Sequence, residues 1–494
     1  WRGVWLAKDR VAALQAAGVV RGWTQAEERL GSELVGWRYR GPFDELDAQA
    51  GVEHRVVAWD EVSAEDGTGV VHIAPGAGKE DFLLGRELGL AVLAPLDENG
   101  VYLAGYDWLS GRAASGVAED VAANLEGKGV LFGREQYTHR YPVCWRCGTD
   151  LLFRLADEWL ISMDSLRHQM MDAAKEATWL PAFGLERELD WLRNMDDWMI
   201  SKKRYWGLAL PIYPCEHCGH VTVVGSRAEL QQRAVEGWDE FDCHSPHRPW
   251  VDAVKIACEQ CGATVSRVAD VGNVWLDAGI VAFSTMGYYE DRERWQQWFP
   301  AHLVLESFPG QFRNWFYALL AMSTALTGHA PFRTLLGHAL VKDANGEEMH
   351  KSKGNAIWFE EAAAWMGVEP LRWLFASAPL ERNINFGREA VAEAARRLQP
   401  IWEVYRFFVT YANLESQLQL GDWRLEQHRS TGSLLPLDRW LLARVSKLVE
   451  TARARLSAFD ARGYTIEVER FADELSNWYV RRSRRRFWGS TRGG

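Results

Sequence analysis

Three things are scarce in this sequence of 494 residues, and each scarcity argues against a class of protein. Cysteine occurs only 7 times, too thin for a disulfide scaffold and suited to a reducing cytosol. Long apolar runs are also missing. None approaches the roughly 20 residues that a membrane-spanning helix needs, and the best candidate, Trp315 to Leu326, is broken by Ser323 and Thr324. Basic charge is in deficit as well, 56 Lys+Arg against 67 Asp+Glu for a net −11. That argues against a protein that coats nucleic acid nonspecifically, while leaving room for a local basic patch. What is present, 47% hydrophobic and 25% charged residues, is the balance of an ordinary globular protein. The length allows about three domains at ~150 residues each. The sequence opens on Trp1, not Met, and reads as a piece of something longer.

Six of the cysteines fall in three copies of one pattern, Cys144-Trp-Arg-Cys147-Gly148, Cys215-Glu-His-Cys218-Gly219 and Cys258-Glu-Gln-Cys261-Gly262. In a CxxCG knuckle both thiolates can reach one metal, and the Gly permits the tight turn behind them. Tetrahedral zinc takes four ligands, so Cys215, Cys218, Cys258 and Cys261 are expected to close one site. Cys144 and Cys147 are left as a half-site. Their partners would be Cys243, His244 or His247, or lie outside the chain.

Composition divides the rest. Residues 1 to about 135 alternate short apolar runs with Gly-rich turns, as in Thr68 to Gly76, expected as a buried strand entering a turn. Residues about 136 to 210 mix helical patterns with a Trp-rich stretch, and about 211 to 266 hold the two paired knuckles. From about 267 to 380, strands such as His302 to Leu305 alternate with helices such as Arg313 to Ala325, which predicts a parallel α/β sheet. Beyond 380 the period is helical: Leu398, Ile401, Trp402, Tyr405, Phe408 and Val409 share a face, as do Val468, Phe471, Leu475, Trp478 and Tyr479. Glu415 to Ser433 reads as a polar loop.

The chemistry concentrates in Gly346-Glu-Glu-Met-His-Lys-Ser-Lys-Gly-Asn355, a short loop between a strand (Ala339 to Lys342) and a helix. Ammonium groups offset anionic charge and a Gly lets the backbone approach, so the loop suits phosphate. It resembles the KMSKS loop of class I aminoacyl-tRNA synthetases. The resemblance extends to Val274–Gly279 (a WFDSG-type strand), Gln311–Phe316 (DQxRGWF) and Trp198–Gly207 (DWxISRQRYWG), in order and at matching spacing. Ser476 to Trp488 resembles the anticodon-domain signature of the isoleucyl branch.

That resemblance implies a Rossmann-like parallel-sheet catalytic fold (its second half, 136–380, with a zinc-ribbon insertion), a β-rich editing-domain remnant over 1–135 and a partial helical anticodon-binding bundle over 381–494. It implies a monomeric, cytoplasmic enzyme that uses ATP with Mg2+ to join isoleucine to tRNA(Ile). Lys351, with Ser352 and Lys353, would act on the departing pyrophosphate. Trp275, Asp277, Gln311, Trp315 and Glu306 would line the adenylate and amino-acid pocket. His72 and Asp81 would serve editing, and Arg481, Arg482, Arg484, Arg485 and Arg486 would hold tRNA. A valyl enzyme, a noncatalytic tRNA-binding paralogue, and an unrelated zinc-ribbon nucleic-acid-binding protein are the alternatives.

Several positions depart from the family. Glu348 stands for its first loop Lys, His350 for its first Ser, Gly310 (after Pro309) for its Asp, and Ala278 for the Ser after Asp277. Glu306 or Ser307 is expected to take over the lost acidic role. No HIGH motif and no Thr-rich first editing motif occurs. The chain is therefore expected to begin inside the editing insertion and to be inactive alone. The partner knuckle of Cys144 and Cys147 would lie in the missing half.

Overall fold

A computed structural model describes residues 3–16, 24, 27–65, 67–134, 138–144, 147–414, 432 and 434–488. They form two compact units, Trp1–Asp157 and Glu158–Gly494, so the division falls later than the compositional change near 135. Among the described residues no helix is long and apolar enough to cross a membrane.

The first unit was expected to be rich in strands and is not. It holds helices Lys79–Leu88 and Ala118–Gly127, and a small core of Leu46, Tyr106, Leu109 and Val117 against which Val121 of the second helix packs. Among the described residues its extended segments meet at isolated bridges such as Arg38–Arg55 and Val101–Ala113. Among the described residues Thr68 to Gly76 is not a buried strand: the Thr68 carbonyl accepts the Ala7 N–H at 2.9 Å, no ladder follows, and Val70 is 59% exposed. A strand needs a ladder partner as well as apolar residues. Among the described residues the backbone of Val71 to Ile73 meets none.

The second unit is organised by a three-stranded sheet in the order Val304–Ser307, Thr334–His338, Thr178–Leu180, parallel throughout. Leu305 pairs with Leu336, and Leu336 with Leu180. Parallel sheets must be covered on their faces. Helix Trp315–Thr327 does this and is apolar on every side, which is why Phe316, Ala318 and Leu320 are all at 0% exposure. Gly328 ends it in the left-handed region, its N–H donating to the Thr324 carbonyl at 2.9 Å. Trp179 packs against Phe312, Phe316 and Phe332, and its indole N–H donates to the Ala174 carbonyl at 2.8 Å. The strand ends Ser307 and His338 are register partners, so the segments that follow them open on one edge of the sheet.

Two elements branch from this body. The cysteine insertion is a hairpin (Ile212–Pro214 with Val221–Val223) beside a three-stranded antiparallel sheet (Ala234–Glu236, Lys255–Ala257, Thr264–Ser266). Its core holds Tyr213, Phe241, Val254 and Ile256. The tail comprises helices Arg388–Leu414, Pro436–Ser457 and Ala461–Asp473, a π-helical stretch Glu474–Val480, and Arg481–Trp488. Periodicity placed Ile401, Trp402, Tyr405 and Phe408 on a packed face, yet all four are exposed. The helix runs past its packing partners: Val391 and Ala394 are buried, and further along it is Phe407 that meets Phe487, at 5.1 Å. The expected loop over 415–433 lies outside the described residues except for Gly432.

Candidate functional site

Ligands of open parallel sheets bind beyond the carboxyl ends of the strands, and Glu306, Gln311 and Trp315 lie at or just past the end of Val304–Ser307. Glu306 folds its carboxylate onto its own strand end, Oε1 accepting the Ser307 N–H at 2.7 Å. Ser307 Oγ is buried without a partner. The turn is rebuilt around Gly310 at φ 86, a conformation other residues rarely adopt. Gln311 Oε1 accepts the Trp315 N–H at 3.1 Å and so starts the buried helix. The Trp315 indole N–H donates to the Ala278 carbonyl at 3.1 Å, fastening Val274–Gly279 alongside. That segment, expected as a strand, is a helix, because the Asn273 side chain accepts the Trp275 N–H at 3.1 Å and caps it. Trp275 and Trp315 are partly buried on these two packed helices, whereas Asp277 is exposed.

The lysine loop follows Val341–Lys342, a short strand just past the central one that pairs in parallel with Ile384–Asn385. Asp343 accepts the N–H groups of Asn345 and Glu347, each at 2.9 Å, and takes Asn355 Nδ2 at 2.9 Å. Asn355 also donates to the Glu348 carbonyl at 3.1 Å and accepts the His350 N–H at 2.9 Å. The Asn355 amide and the Glu347 N–H hold the Asp343 carboxyl below the usual carboxylate range. Lys351, Ser352 and Lys353 form a 3-10 turn on this base, with Lys351 and Lys353 exposed. The Lys351 ammonium rests over the Trp358 ring at 4.5 Å. The two departures from the motif face each other, Glu348 and His350 being 3.4 Å apart.

Sequence reasoning named no site residue in Trp198–Gly207, yet this stretch lines a cleft of about 280 Å³. Lys202, Arg204 and Trp206 form one lip; Asn273, Trp275 and Asn314 are among the rest of the lining. Burial pulls the Lys202 ammonium below the ordinary lysine range, against the opposing pull of Glu158. Trp206 is 72% exposed. The available signal was the alternation of cations with aromatics in Lys-Lys-Arg-Tyr-Trp, a pattern suited to stacked bases and phosphates.

The four cysteines converge. Their sulfurs lie within 4.8 Å of one another, with Cys215–Cys261 at 3.5 Å and Cys218–Cys258 at 3.6 Å. Zn–S bonds of about 2.3 Å in a tetrahedron set sulfurs about 3.8 Å apart, so the donor set fits a metal. The Cys261 and Gln260 N–H groups hold the Cys258 thiol down to about 6. The His220 N–H pulls Cys218 the same way, but burial and the three adjacent sulfurs push it up to about 12. Such crowding is what a cation relieves. Gly148, after Cys144 and Cys147, repeats the turn of the other two knuckle glycines. Gly148, Gly219 and Gly262 lie at φ 72, 74 and 74, and each donates to the first Cys carbonyl at 2.8, 2.8 and 2.9 Å. Cys147 Sγ is 3.1 Å from Thr149 Oγ1, and that contact, with Cys144, lowers the Cys147 thiol to about 7. Among the described residues only Cys215, Cys218, Cys258 and Cys261 form a group of metal-ligand size.

In the first unit His72 is exposed, and Asp81 Oδ2 accepts the Ala74 N–H at 2.9 Å, tying the acid to the segment that carries the histidine. In the tail, Arg481, Arg484 and Arg485 are exposed, and Arg482 lies over the Trp478 ring at 4.0 Å. Arg486 is committed internally: its two Nη atoms donate to Asp438 at 2.7 and 3.0 Å, beside the Tyr479 hydroxyl.

A parallel sheet with a lysine loop beyond its carboxyl edge excludes the unrelated zinc-ribbon alternative. The family described as tRNA synthetases class I (I, L, M and V) matches residues 31–387, and the anticodon-binding domain of tRNA ligase matches 438–493. The chain belongs to the class I tRNA synthetases. Within that class it is 34% identical to the isoleucine–tRNA ligase of Methanothermobacter thermautotrophicus over 93% of this chain and 44% of the relative. With the isoleucine–tRNA ligase of Thermus thermophilus the figures are 38%, 93% and 43%. The chain thus spans less than half the length of these relatives. Among solved structures, Mycobacterium tuberculosis methionyl-tRNA synthetase in complex with methionyl-adenylate shares the fold, with a TM-score of 0.50 at 15% identity over 72% of this chain and 59% of that one.

Proposed function

We infer that this chain is part of an isoleucine–tRNA ligase. In this reading residues 1–135 are a partial editing domain. Residues 136–380 are the second half of the catalytic domain, with a zinc ribbon at about 211–266, and 381–494 are part of the anticodon-binding bundle. The isoleucine carboxylate attacks the α-phosphorus of ATP, which arrives with Mg2+, and pyrophosphate leaves; a ribose hydroxyl of tRNA(Ile) then takes the acyl group from the adenylate, releasing AMP. The protein works in the cytoplasm as a monomer.

The chemistry asks for positioning and charge more than for covalent help. Lys351 reaches the departing pyrophosphate, with Ser352 and Lys353 beside it. An exposed cation–π contact is worth ~0.5–1 kcal/mol, so Trp358 releases the ammonium readily to a polyphosphate. Gln311 and Glu306 line the adenylate, and Trp275 and Trp315 wall the side-chain pocket. One methylene in such a pocket is worth about 1–3 kcal/mol, isoleucine against valine being the standard instance, so misactivated valine is removed by editing, where Asp81 and His72 act. Zinc at Cys215, Cys218, Cys258 and Cys261 supplies structure to the insertion, and Cys144 with Cys147 supplies half of a second site. Arg481, Arg482, Arg484 and Arg485 meet the tRNA backbone.

One observation supports the reading: the lysine loop lies after the central parallel strand, beyond the short strand Val341–Lys342, while the Gln311–Trp315 turn follows the neighbouring strand. The test is isoleucine-dependent exchange of pyrophosphate into ATP by the protein purified from its own genomic locus. Exchange should fall to background in Lys351→Ala. Exchange driven by valine and not by isoleucine would move the protein to the valyl branch, and none with either amino acid would favour a noncatalytic tRNA-binding paralogue.

A further inference from the structure

The cleft lip is thinly held by its own backbone. Strand Ser201–Lys202 pairs with Val271–Gly272, and Lys203 is fixed to Asp270 at 2.8 Å. Beyond that the chain turns, and Trp206 stands mostly in solvent. The side chain that backs this turn comes from the cysteine insertion. The Arg248 guanidinium covers the Tyr205 ring at 5.0 Å, and Tyr205 meets Trp206 edge-on at 5.2 Å.

Arg248 is itself anchored. Its Nε donates to Asp252 Oδ2 at 2.7 Å. The other Asp252 oxygen takes Arg267 Nε at 3.1 Å, and Nη2 as well. The Arg267 side chain is 1% exposed, and its Nη1 donates to the Leu210 and Asp270 carbonyls at 3.1 and 2.8 Å. Those carbonyls lie at the two roots of the insertion. A buried cation pinned by backbone therefore fixes Asp252, and Asp252 fixes the plane of Arg248. Only a planar guanidinium can bond a carboxylate at its edge while stacking on a ring with its face.

We propose that Arg248, held by Asp252, is a positioning residue that transmits the fixed orientation of the cysteine insertion, across Tyr205, to Trp206 and the cations Lys202 and Arg204 on the cleft lip. The lip is thereby preorganised for a single-stranded stretch of RNA, a base stacking on Trp206 with phosphate at the cations. This assignment of the ligand rests on the tRNA reading above; the positioning itself does not. It also gives the metal insertion a part in substrate binding: a rigid buttress for a lip it never joins covalently at that point.

The test uses the full chain labelled with 5-fluorotryptophan, the Trp206 resonance being identified by its loss in Trp206→Phe. Arg248→Lys keeps the charge beside Asp252 but cannot cover the ring. It should shift the Trp206 resonance toward the value of free solvent-exposed indole and weaken binding of an isoleucine tRNA transcript about fivefold, the size of a partly desolvated cation–π contact. Bound metal should be unchanged. Tyr205→Ala should reproduce both effects, and Tyr205→Phe neither. A Trp206 resonance that stays put in Arg248→Lys and Tyr205→Ala overturns the proposal; should Arg248→Lys not fold, Tyr205→Ala decides alone. If the unaltered chain binds no tRNA, the functional reading fails while the resonance still settles the positioning.

Discussion

Glu188 offers the sharpest physical test of the core. It lies on helix Phe183–Asn194 at 0% exposure, and neither carboxylate oxygen has a hydrogen-bond partner. Burial raises its carboxyl well above the ordinary 4.5. The native state therefore holds the proton to higher pH than the unfolded chain does. The sign follows: between the unfolded and the folded value the unfolded state binds fewer protons, so stability falls as pH rises, by at most ~1.36 kcal/mol per pH unit. Glu188→Met keeps the length, removes both orphan oxygens and abolishes this slope. Hydrogen exchange of the helices Asp164–Glu176 and Phe183–Asn194, read at about pH 5.5 and 7.5, should show the variant gaining on the parent between the acid and the neutral condition, by at most ~1.36 kcal/mol per pH unit. Other titrating groups cancel in the difference. Parallel pH dependences in the two proteins would refute the assignment of a neutral, unpartnered acid at this place.

Four further outcomes are expected. Cys258→Ser should lower bound zinc from one per chain toward none and expose the insertion to proteolysis near Val254–Ile256, while helix Trp315–Thr327 stays protected; retained stoichiometric zinc would break the pairing. Asn355→Ala removes both bonds that join Asp343 to the Glu348 backbone, at a local cost of about 1–2 kcal/mol. Limited proteolysis should then cut within 343–355 several-fold faster, and an unchanged cleavage rate would show that the side chain does not hold the loop. Arg484→Ala should reduce the salt slope of tRNA binding by about one without changing the melting temperature. Arg486→Ala should do the reverse, costing about 1 kcal/mol of tail stability through its half-exposed pair with Asp438, with the salt slope intact.

How far the sequence could be read depended on the range of the interaction involved. The knuckles were legible because their geometry closes within five residues, and the Gly of each stands at the positive φ that the turn requires. The parallel sheet was legible from the alternation of apolar runs, and helix Trp315–Thr327 falls within two residues of its expected span. The lysine loop was legible as a pattern, but not the Asp343–Asn355 bonds that give it a base, since twelve residues separate the partners. Val274–Gly279 was misread as a strand because one side chain, Asn273, decides its start. Thr68–Gly76 was misread because pairing is a property of two segments, and composition reports on one. On helix Arg388–Leu414 the period was right and the packed face was not, since periodicity states that a face is apolar without naming the neighbour that covers it.

By itself, then, the sequence settled which chemistry is available: thiolate quartets, an ammonium loop, a cationic tail. These are local, carried by residue type and spacing. Tertiary structure alone decided which of those groups are free to act. It turned Arg486 inward onto Asp438, parked Lys351 on Trp358, sealed an acid at Glu188, and brought Arg248 from one subdomain to the back of Tyr205 in another. Availability depends on burial and on partners distant along the chain, and those exist only once the chain has folded.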